Sequence, residues 1–148
     1  MAHLSAELME GVDRPALRRL VVSFYDDIRR DDLLGPVFAA AIPAEAWDAH
    51  LERMTDFWGT VMLGTRSFRG NVYQKHVALA EIAEVRPEHF LRWISLWNAN
   101  TSALFPGPVA EELQLTAQGI GRNLFYGFFE KFARFIVVDG VAVDYEAV

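Results

Sequence analysis

Proline sets the joints of this chain. Pro15, Pro36, Pro43, Pro87, Pro106 and Pro108 each stand at the opening of an apolar-periodic segment or between two of them, and none falls inside one. Inside a helix a proline removes a backbone hydrogen bond and collides with the preceding turn, whereas at the first helical position its missing N–H costs nothing. The intervals between prolines are therefore where helices can run. Asp13-Arg14-Pro15 reads as an N-cap and first turn, opening a helix to about Arg30 with Leu17, Leu20, Val21, Phe24, Tyr25 and Ile28 on one stripe. The run from Asp31 to Pro36 is a tight connection leading to Val37 and Phe38. Pro43 opens a second long helix to about Leu63, closed by Gly64. Residues 64–74 hold two glycines and no clean period, a loop, followed by a short helix around 75–82. Arg86-Pro87-Glu88 begins a helix with Phe90, Trp93, Ile94 and Trp97 on one side. Gly107-Pro108 begins the last and longest, whose stripe reads Ile120, Leu124, Phe125, Phe128, Phe132 and Phe135. Only a weak stretch over 135–143 alternates with period two. The pattern predicts an all-α fold of five or six helices, one domain over residues 1–148, with 1–12 and 139–148 as peripheral tails.

Composition narrows the function classes. At 148 residues, 52% hydrophobic and 23% charged, the chain suits one folded domain with a real core. No window approaches 18 uninterrupted apolar residues, so no membrane span is expected. The first residues lack a basic segment followed by an apolar one, so no secretory signal and a cytoplasmic location are expected. A net charge of −6 without a basic stripe argues against nucleic acid as partner. The absence of cysteine removes disulfides, thiolate zinc sites, iron–sulfur clusters and cysteine-attached haem together. What stands out is the aromatic load, 11 Phe, 4 Trp and 4 Tyr. That is more flat apolar surface than the chain's own packing obviously needs.

Histidine is then the remaining borderline metal ligand, at positions 3, 50, 76 and 89. His3 lies in a terminus prone to fraying. His89, near a helix start, reads most simply as a partly exposed residue. His50 sits in the middle of an apolar face: at 100° per residue Met54, Phe57 and Val61 all fall within about 40° of it. Trp47 and Trp58 flank that face, and Asp48, Glu52 and Asp56 lie opposite. His76, in Gln74-Lys75-His76-Val77-Ala78-Leu79, is followed by apolar residues that point it inward. Taken singly, His50 also fits a hydrogen-bonded core histidine and His76 a surface residue of a short helix.

Other templates fit poorly. Gly119-Ile120-Gly121-Arg122 lacks the spacing and preceding strand of a phosphate loop. No His-Glu-x-x-His pair exists, and no serine lies in a nucleophile elbow. The pairs Asp26-Asp27, Asp31-Asp32 and Glu111-Glu112 read as solvated helix faces and first turns.

Several aromatic motifs occur in a fixed order. Phe24-Tyr25 is followed by Gly35-Pro36-Val37-Phe38, Trp47-x-x-His50, Phe57-Trp58, a loop with His76, and Phe90-x-x-Trp93. Each is weak alone; in this order and spacing they resemble the truncated haemoglobins, specifically their third subgroup, over about residues 24–129. The paired-glycine motifs typical of the other two subgroups are absent.

The resemblance implies a shortened globin, two helices over two, holding haem. By resemblance His76 is the proximal iron ligand, its other ring nitrogen donating to a backbone carbonyl. Lys75 is a candidate partner of a haem propionate, with Arg66 and Arg69 weaker ones, and Leu79 a further cofactor contact. Tyr25, His50 and Trp93 would line the opposite face as hydrogen-bond donors, with Phe38, Met54 and Phe57 as walls. Without a Cys-x-x-Cys-His segment the haem must be noncovalent, b-type. The implied partners are O2, NO, CO or similar small ligands. A haem enzyme on the same site, nitric oxide dioxygenase or peroxidase-like, would need an external reductase, since no flavin or nicotinamide module is visible. The remaining alternative is a cofactor-free helical interaction module whose aromatics are core only.

Overall fold

A computed structural model describes residues 11–66, 68, 70, 71, 74–76 and 83–148. Helix α1 (Arg14–Arg30) starts as the sequence predicts: the Asp13 carboxylate accepts a hydrogen bond from the Ala16 N–H at 2.9 Å, and Pro15 occupies the first turn. Helix α2 (Leu34–Ala41) follows, then a 3-10 turn (Ala44–Ala46) that runs directly into α3 (Trp47–Leu63). Gly64 ends α3 in the left-handed conformation, φ 70°. Gln74, Lys75 and His76 are helical, and the rest of the expected 75–82 helix lies outside the described residues. Helices α4 (Pro87–Leu104) and α5 (Gly107–Phe129) complete the helical part. The α1–α3 pair packs across the α4–α5 pair, principally where α1 crosses α4. No helix among the described residues is long and apolar enough to cross a membrane.

Several expectations are corrected. The connection expected over 31–36 is shorter: a helix, Leu34–Ala41, already begins within it and places Phe38 against α1. The stripe assigned to the last helix runs too far. Glu130 takes a left-handed conformation, φ 55°, and ends α5. Phe132 instead folds back and stacks on Tyr126 at 4.7 Å, and Phe135 belongs to a strand. That strand, β1 (Ala133–Val138), pairs antiparallel with β2 (Val141–Ala147), so the 139–148 segment is half of a hairpin and not a loose tail. The β-branched run Ile136-Val137-Val138 favours the pleated conformation. Alternation then buries Ala133, Phe135 and Ala142 against α4 and α5. At the other end Val12, within the second expected tail, is buried in the main core.

His89 is buried, its Nδ1 accepting the Arg86 N–H at 3.0 Å to close the first turn of α4. Asp31 is not a solvated carboxylate: its side chain is 10% exposed, accepts from the Leu33 and Leu34 N–H groups and pairs with Arg92. Burial alone would raise the Asp31 carboxyl, but these donors outweigh it and hold it below the ordinary carboxylate value. Glu112 is buried as well, and among the described residues its Oε1 has no hydrogen-bond partner.

The start of α2 presses on the end of α1. A Cβ on Gly35 would lie 2.9 Å from the Arg29 carbonyl oxygen, a backbone atom that cannot swing aside. Gly35→Ala is expected to cost about 1–3 kcal/mol of stability, read as a lower urea midpoint at unchanged slope.

Candidate functional site

Helical spacing separates two neighbouring aromatics on α1. Phe24 enters the core against Trp97 with centroids 5.0 Å apart, and Tyr25, about 100° further round the helix, turns toward α2 and α3. Tyr25 is 8% exposed. Its ring meets Phe38 at 5.9 Å, Trp47 at 5.8 Å and the His50 imidazole at 4.9 Å, the last edge-on at 84°. His50 also lies 5.4 Å from Trp47, one turn earlier on α3, and the Arg29 guanidinium covers the Trp47 ring at 4.5 Å. Two polar tips, the Tyr25 hydroxyl and the His50 imidazole, are thus carried inside an aromatic box.

The box leaves polar capacity unused. Among the described residues, the buried His50 Nε2 has no hydrogen-bond partner. Burial, with smaller contributions from the nearby charges of Arg53 and His76, lowers the His50 pKa to about 4. Burial also pushes the Tyr25 hydroxyl well above its ordinary value. At neutral pH both groups are therefore uncharged, each able to donate one hydrogen bond and accept another.

The other sequence-predicted residues are distributed around this pair. Met54, Phe57, Phe38 and Trp93 are half-buried and pack on the main core cluster. Trp93 approaches through Phe24, centroids 6.1 Å apart. His76 is half-buried and edge-on to Phe128 of α5 at 6.3 Å. It reaches His50 by electrostatics, so the two histidines share one region of the molecule. Lys75 and Arg66 are exposed, and Leu79 and Arg69 lie outside the described residues.

Two contacts escape the sequence reading. Phe68, in the loop after α3, folds onto Phe57 at 5.3 Å, its N–H bonding Thr60 Oγ1 at 3.0 Å while Arg53 covers its outer face. Phe128 was legible only as part of a core stripe. Among the described residues no group of three His, Cys, Asp or Glu could hold a metal ion by itself. What these side chains can do is surround a flat apolar body with few polar contacts.

No family model matches the chain. Over 124 residues it is 26% identical to a group 3 truncated hemoglobin of Campylobacter jejuni, covering 80% of this chain and 95% of that protein. The crystal structure of the group III truncated hemoglobin from Campylobacter jejuni matches with a TM-score of 0.75 at 24% identity, over 82% of this chain and 94% of that one. The fold is that of a truncated globin, two helices over two, and the sequence similarity falls in the third subgroup, as the motif order implies.

The depressed His50 pKa has a signed consequence. Between the ordinary histidine value near 6.5 and about 4, the unfolded chain takes up a proton that the folded chain refuses. Stability from this group is complete above that window and is lost as pH falls through it. Urea melts of the apoprotein should weaken with acidification across this window. His50→Gln should remove part of that slope, and an unchanged slope would refute the assignment.

Proposed function

From the premise of a truncated-globin fold and a sequence similar to a group 3 truncated hemoglobin, we propose that this chain binds haem b noncovalently and holds a small diatomic ligand in a polar pocket. The observation that carries the reading is the buried His50 Nε2, without a partner among the described residues, beside Tyr25 in a box with Phe38 and Trp47. An unused polar atom in such a place carries a desolvation cost that a bound ligand would offset. The surrounding side chains suit a planar apolar group, and with no cysteine the attachment is noncovalent.

Haem, when bound, supplies an iron centre that takes O2, NO or CO. His76 is the residue that would hold it, and the edge-on contact with Phe128 limits how far that ring can turn. Lys75, exposed beside it, would pair with a propionate, and Leu79, outside the described residues, is the further contact in this reading. Phe38, Met54 and Phe57 exclude water from the pocket. Tyr25, His50 and Trp93 serve as donors for a ligand that gains negative charge, and a dry, preorganised site makes such donors strong.

The polarity of the pocket favours catalysis or sensing over simple carriage. Each hydrogen bond to a charged ligand contributes about 1.5–3 kcal/mol, and release slows about tenfold for every 1.4 kcal/mol. A carrier needs fast release. Nitric oxide dioxygenation or peroxide reduction would draw electrons from an external reductase.

Haem reconstitution should give an intense Soret band, and its absence would reject the proposal in favour of a helical interaction module. His76→Ala should lose haem affinity far more than His50→Ala does; equal losses would reverse the two sides of the site. Tyr25→Phe should speed O2 release from the ferrous protein roughly tenfold or more, measured by stopped flow, and an unchanged rate would remove Tyr25 from the donor set.

A further inference from the structure

Beyond the Tyr25–His50 box, two tryptophans form a stacked pair in the core. Trp58 of α3 and Trp97 of α4 overlap face to face, centroids 4.4 Å and planes 20° apart. Trp97 is fully buried and Trp58 is 5% exposed. Phe24 meets Trp97 at 5.0 Å, Trp93 at 6.1 Å and Tyr25 at 5.1 Å, each edge-on. Trp93 and Trp97 also lie one helical turn apart on α4, on neighbouring positions of one face. A single ring therefore separates the stacked pair from two of the pocket's donors.

The chemistry of the two places differs. The chain has no cysteine, so indole and phenol are its side chains most readily oxidised by one electron. A positive charge on one indole of a stacked pair is shared with the other, which lowers the cost of creating it. The Trp97 Nε1–H donates to the Leu113 carbonyl at 3.0 Å. A carbonyl does not accept that proton outright, so an oxidised Trp97 keeps it and is re-reduced without proton movement. Oxidising Tyr25 instead requires its phenolic proton to leave, and the box offers only the His50 ring.

We infer that the Trp58–Trp97 pair is an internal sink for oxidising equivalents, drawing them out of the pocket through Phe24 and sparing Tyr25 and Trp93. With hydrogen peroxide as oxidant this rests on the haem reading. The O–O bond breaks and one water leaves. Of the two electrons consumed, haem, when bound, would supply one and the indole pair the other, leaving the pair a cation radical with both N–H protons in place. The second oxygen leaves as water with two protons after an external one-electron donor has returned both electrons.

Two experiments test the inference. The first needs no haem: photogenerated tris(bipyridine)ruthenium(III) oxidises the purified protein after a laser flash. The expected transient carries the near-infrared charge-resonance band of a stacked indole pair, and Trp58→Phe and Trp97→Phe both lose it. A wild-type transient showing only isolated indole or phenoxyl absorption overturns the inference, whether or not the variants fold. The second mixes ferric haem-loaded protein with one equivalent of hydrogen peroxide. It reads freeze-quench EPR with ring-deuterated tryptophan and maps oxidised side chains by mass spectrometry. Narrowing of the radical signal on deuteration and oxidation at Trp58 or Trp97 are expected, with damage moving to Tyr25 and Trp93 in Trp58→Phe. A signal insensitive to tryptophan deuteration overturns the inference. A protein that takes up no haem refutes the haem reading alone, because the flash experiment still decides the pair.

Discussion

The Trp97 indole is where four helices meet. It is carried by α4, stacks on Trp58 of α3, receives the edge of Phe24 from α1 and donates its N–H to the Leu113 carbonyl of α5. Its ring area makes it a large contributor to the core, and truncating a buried tryptophan typically costs about 3–5 kcal/mol. The hydrogen bond adds direction to that burial. A helix carbonyl has a second lone pair beyond its intrahelical bond, and by using the one at Leu113 the indole fixes how far along α5 the α4 helix sits. Position then propagates outward. Because Phe24 is held on Trp97, Tyr25 must turn toward α2 and α3, and because α3 is held through Trp58, His50 two turns earlier comes to meet it. The Tyr25–His50 box is thus built outward from that core.

Helix α4 divides these roles by face. Trp97 faces α1 and α3, Phe90 and Ile94 belong to a second cluster with Phe125 and Phe135, and Trp93 packs on both. Ser95 and Asn98 hold the hairpin: Ser95 Oγ accepts the Ala142 N–H at 2.9 Å, and Asn98 Nδ2 donates to the Gly140 carbonyl at 3.0 Å. The first of these occupies a backbone donor of β2 that would otherwise be left for another chain to pair with. The hairpin thus closes the second cluster, on which Trp93 also packs.

The long helices were legible because their punctuation is local: Asp13, Pro15, Gly64 and Pro87 act within a turn of where they stand. What sequence reading missed depends on longer-range or competing terms. Leu34–Ala41 is short and carries no clear apolar stripe, so periodicity had nothing to read. Phe132 and Phe135 stand at helical spacing from Phe128, yet Glu130 has already left the helix, and the β-branched run that follows packs better as a strand. In the site, Tyr25 and His50 could be anticipated from their stripes. Phe68 could not, since it is brought to Phe57 by a loop whose hydrogen bond to Thr60 no periodicity encodes. His89 was misjudged because an imidazole near a helix start can close the first turn from inside as readily as face water.

Asp31, outside the box, and His50, within it, differ in how burial is answered. Both are largely withdrawn from water, and burial opposes charge on each. Asp31 nonetheless stays ionised, because the Leu33 and Leu34 amides and Arg92 converge on it. His50 receives no such help, and the charges nearest it, Arg53 and His76, push the same way as burial. A fold that supplies three donors to a structural carboxylate could have satisfied an imidazole as well. Leaving Nε2 unpaired forgoes about 1–3 kcal/mol of stability, and folds typically tolerate such a local fault where function needs it. Among the described residues this nitrogen is left unsatisfied beside Tyr25, which is where a small ligand gaining negative charge would need a neutral donor already in place.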